Sequence, residues 1–158
     1  MLPFFEQRKA PVPTIFSHIG LTCKDPAVIE RFYTKYFGFK RARVIPLGDD
    51  QILFIKSGHF YMELFKAKAD SPLEAPKDDG YPWAGYRHLA FEVESVEAKL
   101  AELGSDVKVM LGLSDFSAFI PGWMGAWVAD PEGNIIELNQ GYVDQVSPPA
   151  LVQVSGKG

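Results

Sequence analysis

The sequence predicts an α+β fold made of two tandem βαβββ modules. Three observations predict it. Segments 15–66 and 86–140, of 52 and 55 residues, each read as strand, helix and three further strands in the same order. Residues 67–85 interrupt that order with a stretch rich in Pro, Gly and charge, which reads as a linker or loop. The whole chain is 158 residues with 47% apolar side chains, the size and composition of one globular domain with a real core.

Each element has a local reason. Residues 14–22 read as a strand from their β-branched and apolar content. Asp25-Pro26 then supplies an N-cap followed by proline at the first helical position. Val28, Ile29, Phe32, Tyr33, Tyr36 and Phe37 recur at helical spacing, and Gly38 ends the run. Strands at about 39–46, 51–57 and 60–66 are separated by turns at Gly48-Asp49-Asp50 and Ser57-Gly58-His59. After the linker, Tyr86 to Val93 reads as a strand, and Ser95 caps a helix with Val96, Leu100 and Leu103 on one stripe and Gly104 at its end. A strand at about 106–110, a loop at 111–123 and strands at about 124–129 and 134–140 complete the second module. The turn Asp130-Pro131-Glu132-Gly133-Asn134 joins the last two strands. Module 1 therefore spans about 14–66, the linker 67–85 and module 2 about 86–142, within a single domain at 14–142. Residues 1–13 read as an N-terminal arm and 143–158 as a C-terminal tail.

The charge balance excludes several classes of function. Sixteen Lys and Arg against twenty Asp and Glu give a net charge of −4, so nucleic acid is not an expected partner. The basic run Lys40-Arg41-Ala42-Arg43 reads as a solvated strand edge. The single Cys23 cannot form an intrachain disulfide, which suits a reducing compartment. No apolar run approaches the length of a membrane span, and the opening Met1-Leu2-Pro3-Phe4-Phe5-Glu6 does not read as a signal peptide. The expectation is a cytoplasmic, soluble protein.

Four residues stand out from this frame. His18 in Ser-His-Ile-Gly-Leu and His88 in Arg-His-Leu-Ala-Phe occupy matching places at the start of each module. Glu63 in Tyr-Met-Glu-Leu-Phe and Glu137 in Ile-Ile-Glu-Leu-Asn occupy matching places in each last strand, 45 and 49 residues later. A charged group in an apolar strand must face water, find a partner or bind a metal, because burying it alone is costly. A single such residue is most often outward-facing; four in matching places invite another reading. Two imidazoles and two carboxylates suit a borderline divalent metal such as Zn, Ni, Co, Mn or Fe. On a six-coordinate ion they leave two positions open.

The paired modules resemble the vicinal oxygen chelate superfamily, which includes glyoxalase I, bleomycin resistance proteins and extradiol dioxygenases. The resemblance covers about residues 14–142. It rests on four motifs in order: His18-Ile-Gly-Leu-Thr-Cys-Lys-Asp25, Arg31-Phe-Tyr-Thr-Lys-Tyr-Phe-Gly-Phe39, Gly85-Tyr-Arg-His-Leu-Ala-Phe91 and Ala126-Trp-Val-Ala-Asp-Pro-Glu-Gly-Asn-Ile-Ile-Glu-Leu138. The resemblance implies a curved mixed sheet around a metal and substrate cavity, with His18, Glu63, His88 and Glu137 as metal ligands. It also implies a small carbonyl substrate chelated through neighbouring oxygens, with the metal stabilising an enediolate or similar oxyanion. Glu137 or Glu63 would move the proton, loosening from the metal to do so. A homodimer is implied too, with the site within one chain or across the interface.

The reading that follows is a glyoxalase-like lyase or isomerase, with Arg87, Trp123 and Phe119 as substrate-pocket residues. This chain departs from bacterial-type glyoxalase I at two glutathione contacts: Thr22 stands where an arginine is usual, and Ala67 where an asparagine is. Arg87 or Arg31 could substitute. Alternatives are a metal-free binding or resistance protein of the same fold, a methylmalonyl-CoA epimerase-like member and an iron dioxygenase. The epimerases normally lack an Asp-Pro-x-Gly turn like Asp130-Pro131-Glu132-Gly133, and the dioxygenases usually have four modules. His59 reads as an exposed turn residue and Cys23 as a buried thiol. Trp83 and the group Phe116, Phe119, Trp123 and Met124 border loops, where they either pack the core or cover a cavity.

Overall fold

The computed structural model describes residues 14–151. The expected N-terminal arm and the last part of the expected tail lie outside the described residues. Two units divide after Lys68, each with one mixed four-stranded sheet and one α-helix. The segment 67–85 falls almost wholly to the second unit.

In the first unit, β1 (His18–Cys23) leads into α1 (Pro26–Phe37), then β2 (Lys40–Leu47), β3 (Asp50–Ser57) and β4 (Phe60–Lys66). The sheet order is β1-β4-β3-β2, with β1 parallel to β4 and the other pairs antiparallel. Asp25 caps α1 by accepting a hydrogen bond from Ala27 N at 2.9 Å. Gly38 ends it with φ of 67°, a left-handed conformation that glycine adopts without a Cβ penalty. One face of the sheet carries Leu53, Ile55, Met62 and Leu64, all buried, and α1 covers it with Ile29, Phe32, Tyr33 and Tyr36. The other face carries His18, Gly20, Phe54 and Glu63, as the two-residue alternation of strands requires.

The second unit repeats the plan. β5 (Leu89–Glu92) is followed by α2 (Val96–Leu103), a 3₁₀ turn at Gly104–Asp106, β6 (Lys108–Asp115), β7 (Met124–Ala129) and β8 (Ile135–Gln140). The order is β5-β8-β7-β6, with β5 parallel to β8. Ala126, Val128, Ile136 and Leu138 are buried on the core face, as are Val96 and Leu103 of the covering helix. Ser95 caps α2 through Ala98 N at 3.1 Å. No helix among the described residues is long and apolar enough to cross a membrane.

The elements expected from the sequence form, with three shifts of boundary. β1 begins at His18 rather than at residue 14; in its register on β4, where His18 faces Tyr61, residues 14–16 fall beyond the start of β4 at Phe60. β5 is shorter than 86–93: its ladder to β8 begins at Leu89, and the side chains of Arg87 and His88 before it are engaged by the preceding loop. β6 runs to Asp115, five residues into the expected loop. Register shifts between Val109 and Leu111 and between Leu111 and Ser114 break the alternation that would have marked it as a strand.

The hairpin that delivers Glu137 is closed by a buried carboxylate. Asp130 is 4% exposed. Its Oδ1 accepts from Glu132 N and Asn134 N, and its Oδ2 from Asn134 Nδ2, at 2.8–2.9 Å. Burial pushes this carboxyl above the ordinary aspartate range, against the lowering effect of those three donors. A group that holds its proton more tightly folded than unfolded makes stability fall as pH rises from about 3.9 through the raised value. Denaturant titrations across acid pH should show that decline in the wild type, and Asp130→Asn should flatten it. The asparagine still accepts from both backbone N–H groups and loses the bond to Asn134 Nδ2. Asp130→Ala loses all three and should cost about 2–3 kcal/mol near neutral pH. Removal of either helix cap, by Asp25→Ala or Ser95→Ala, should cost about 1 kcal/mol in the same assay.

Candidate functional site

Each unit places one histidine against one glutamate on the sheet face away from its helix. In the first, His18 Nε2 lies 3.2 Å from Glu63 Oε2. In the second, His88 Nε2 lies 2.7 Å from Glu137 Oε2. The ladders explain why. Gly20 pairs with Glu63 across the parallel β1–β4 ladder, and Ala90 pairs with Glu137 across β5–β8. Each histidine is two residues before that small partner, so it shares its face and leans over the carboxylate. At Gly20 a Cβ would find only the Phe65 ring, at 3.7 Å.

The antiparallel neighbours repeat the symmetry. Phe54 pairs with Glu63 and Trp127 with Glu137. Phe54 meets His18 edge-on at 5.8 Å between ring centres, and Trp127 lies 6.3 Å from His88. Each half thus has an imidazole, a carboxylate, a small residue and an aromatic wall in equivalent register. The aromatic members were not singled out from the sequence. The signal that identifies them is the ladder partner of each glutamate, which composition does not reveal.

The halves differ in what holds them. His18 is more open than His88, with side-chain exposures of 39% and 19%. His18 Nδ1 lies 3.0 Å from Ser17 Oγ, a hydroxyl that can donate or accept. His88 Nδ1 lies 2.7 Å from the backbone carbonyl of Asp79, which can only accept. Glu137 Oε1 accepts from Asn139 Nδ2 at 2.8 Å, so both of its oxygens are engaged. For Glu63, His18 supplies the one contact found among the described residues.

The donor sets suit a divalent cation. In the neutral ring a carbonyl at Nδ1 favours the proton there, which leaves the Nε2 lone pair toward Glu137. Two acceptor atoms 2.7 Å apart then need a proton or a cation between them. Within each unit the pair stands without a third ligand: among the described residues, no group of three or more His, Cys, Asp and Glu side chains gathers in a way that could hold a metal ion.

The other residues expected at a site fall as follows. Arg87 is ion-paired with Asp79, its Nη1 2.7 Å from both carboxylate oxygens. Trp123 packs against Phe116 at 4.9 Å and Tyr142 at 6.1 Å, whereas Phe119 is 77% exposed. The Phe116 ring also lies over Gly125, where an added Cβ would come within 3.1 Å of it, and meets Trp127 edge-on at 6.1 Å. Trp83 is half exposed and stacks on Tyr81 at 4.4 Å. Arg31 lines a surface groove with Glu30, Thr34, Lys35, Lys40 and Arg41, on the helix side of the first unit. His59 is exposed in its turn and Cys23 is buried.

Comparison with known proteins gives the family. Residues 15–138 match the model of the Glyoxalase/Bleomycin resistance protein/Dioxygenase superfamily. Among solved structures, SMU.1112c is similar at 28% identity and a TM-score of 0.60, over 80% of this chain and 98% of that one. A glyoxalase family protein from Enterococcus faecalis is similar at 26% identity and 0.61, over 79% and 96%. The fosfomycin resistance protein FosX from Listeria monocytogenes, solved with Mn(II) and sulfate, shares the fold at 15% identity and 0.59, over 84% and 96%. No curated protein matches the chain. With its two βαβββ units and a match spanning nearly all of both, the chain belongs to the Glyoxalase/Bleomycin resistance protein/Dioxygenase superfamily.

Proposed function

We propose that the protein is a divalent-metal-dependent, glyoxalase-like lyase or isomerase acting on a small carbonyl substrate with two neighbouring oxygens. The observation that carries this reading is the duplicated His–Glu pair, held in equivalent register in the two units. His18, Glu63, His88 and Glu137 would hold the ion, one of Zn, Ni, Co, Mn or Fe. When bound, it supplies Lewis-acid stabilisation of an oxyanion developing on the substrate.

The chain's own residues divide the remaining work. A carboxylate that carries a proton must move between two positions. The anchoring of the two glutamates supports giving that role to Glu63, whose one polar side-chain partner among the described residues is His18, and the fixed-ligand role to Glu137, which His88 and Asn139 hold. Phe54 and Trp127 beside the pairs limit water around them, which strengthens electrostatic interactions there. Arg87, Trp123 and Phe119 are the proposed substrate contacts. The protein would act as a cytoplasmic homodimer, as small two-module chains of this family commonly do.

Metal analysis of protein purified without chelator should find about one divalent ion per chain. His18→Ala and Glu137→Gln should weaken binding by more than the roughly 10–100-fold that loss of an outer partner costs. Glu63→Gln should retain most of the metal. It should also abolish exchange of the proton next to the carbonyl, read by deuterium incorporation with a panel of hemithioacetals and acyl-CoA esters. Unchanged metal content in both His18→Ala and Glu137→Gln defeats the site assignment, and a chain that takes up no ion leaves the metal-free binding reading in its place.

A further inference from the structure

We infer that the loop before β5 is a clamp that sets the proton of His88, with Asp79 and Gly80 as positioning residues. The inference rests on the proposed role of His88 as a metal ligand, but its geometry lies wholly within the second unit.

The loop turns at Lys77–Gly80, where Gly80 N donates to Lys77 O at 2.9 Å and Asp78 has φ of 51°. This turn lays Asp79 alongside Arg87 and His88. Asp79 then uses two different groups. Its carboxylate receives Arg87 Nη1 through both oxygens, and its backbone carbonyl receives His88 Nδ1. Gly80 makes the approach possible. A Cβ there would lie 2.4 Å from Arg87 O, and its φ of 131° is one that side chains rarely adopt. Tyr81 ties the far side of the loop by donating to Glu74 O at 2.7 Å.

The consequence is a conflict for the neutral ring, which either a second proton or a cation resolves. Asp79 O asks for the proton on Nδ1, and Glu137 Oε2 asks for one on Nε2. A neutral imidazole has one proton to give. With the carbonyl in place Nδ1 keeps it, and Nε2 meets the carboxylate as a bare lone pair. Without the carbonyl the ring would turn to the other tautomer and donate to Glu137, satisfied and closed to metal. His18 has no such conflict, because Ser17 Oγ can donate to Nδ1 while Nε2–H donates to Glu63. The His88–Glu137 pair is therefore preformed, and the His18–Glu63 pair is adjustable. An exposed Arg–Asp pair contributes little to stability by itself. Its role here is to keep the carbonyl on the ring.

The test uses the full-length, metal-free protein at about pH 8.5, above the ordinary histidine range. Two-bond ¹H–¹⁵N correlation spectra of the imidazoles should show the His88 proton on Nδ1. Gly80→Ala and Arg87→Met should move it to Nε2 and leave the His18 pattern unchanged, while Arg87→Lys, which can still reach the carboxylate, should restore Nδ1. Titration with Co²⁺ should show affinity falling by about 10–100-fold in the first two variants and returning in Arg87→Lys. An unprotonated Nδ1 in the wild type overturns the inference, as does a proton that stays on Nδ1 in both variants. If Gly80→Ala fails to fold, Arg87→Met decides. A wild type that shows the Nδ1 proton yet binds no Co²⁺ overturns the metal reading while leaving the clamp standing.

Discussion

The constraint on which the rest of the structure depends is the cost of placing a carboxylate in the middle of a hydrophobic strand. Glu63 and Glu137 are flanked by Met62 and Leu64 and by Ile136 and Leu138, all four buried. Strand alternation sends those neighbours to the core and the glutamate to the opposite face, where it is still mostly covered. Left alone there, an ionised carboxylate would lose far more in hydration than the strand gains by pairing. A histidine from the parallel neighbour answers this. The β1–β4 and β5–β8 ladders put it two residues out of register, leaning over a glycine or an alanine. The parallel crossover through each helix is what makes that neighbour available, so the βαβββ order and the His–Glu pair depend on each other.

Most of the architecture is legible in the residues, because its signals are local. Pro26 after Asp25, Gly38 after an apolar stripe, and the Asp130-Pro131-Glu132-Gly133 turn each name their own conformation. The pairing of His18 with Glu63 and of His88 with Glu137 was legible only through the repeat, since nothing local connects residues 45 or 49 apart. The last part of β6 was not legible. Its bulges remove the alternation, and its contact with β7 is made by Leu111, Ser114 and Asp115 in an interrupted register. The linker was the larger omission. Its composition reads as a loop, and it is one, but composition carries no trace of a backbone carbonyl that reaches an imidazole. A feature built from main-chain atoms leaves only indirect marks, here a glycine at Gly80 and an aspartate beside it.

Duplication explains the likeness of the halves and also makes their differences informative. Two copies of one module begin with the same demands: an imidazole, a carboxylate, a small residue between them and an aromatic beside. Those four elements are retained in both units. What differs lies beside those four elements. The second histidine follows a loop that can fold back on it, and the first follows Ser17, whose hydroxyl rotates. The second glutamate has Asn139 two residues later on the same face, and the first has Phe65 at that place.

This asymmetry bears on how one donor set could serve both to hold an ion and to move a proton. A site in which every ligand is fixed binds its metal well and has no free base. A site in which every ligand is loose has bases but no firm hold on the charge that makes them useful. Asp79 and Asn139 anchor the second pair and a rotating hydroxyl adjoins the first, a separation in mobility between two units that share a single sequence plan. The separation costs little in fold, because the anchors are a turn and an amide on the same sheet face, and neither disturbs the core beneath. A duplicated module permits such a difference, because its copies keep the ladder contacts of imidazole, carboxylate and aromatic and diverge at single positions beside them.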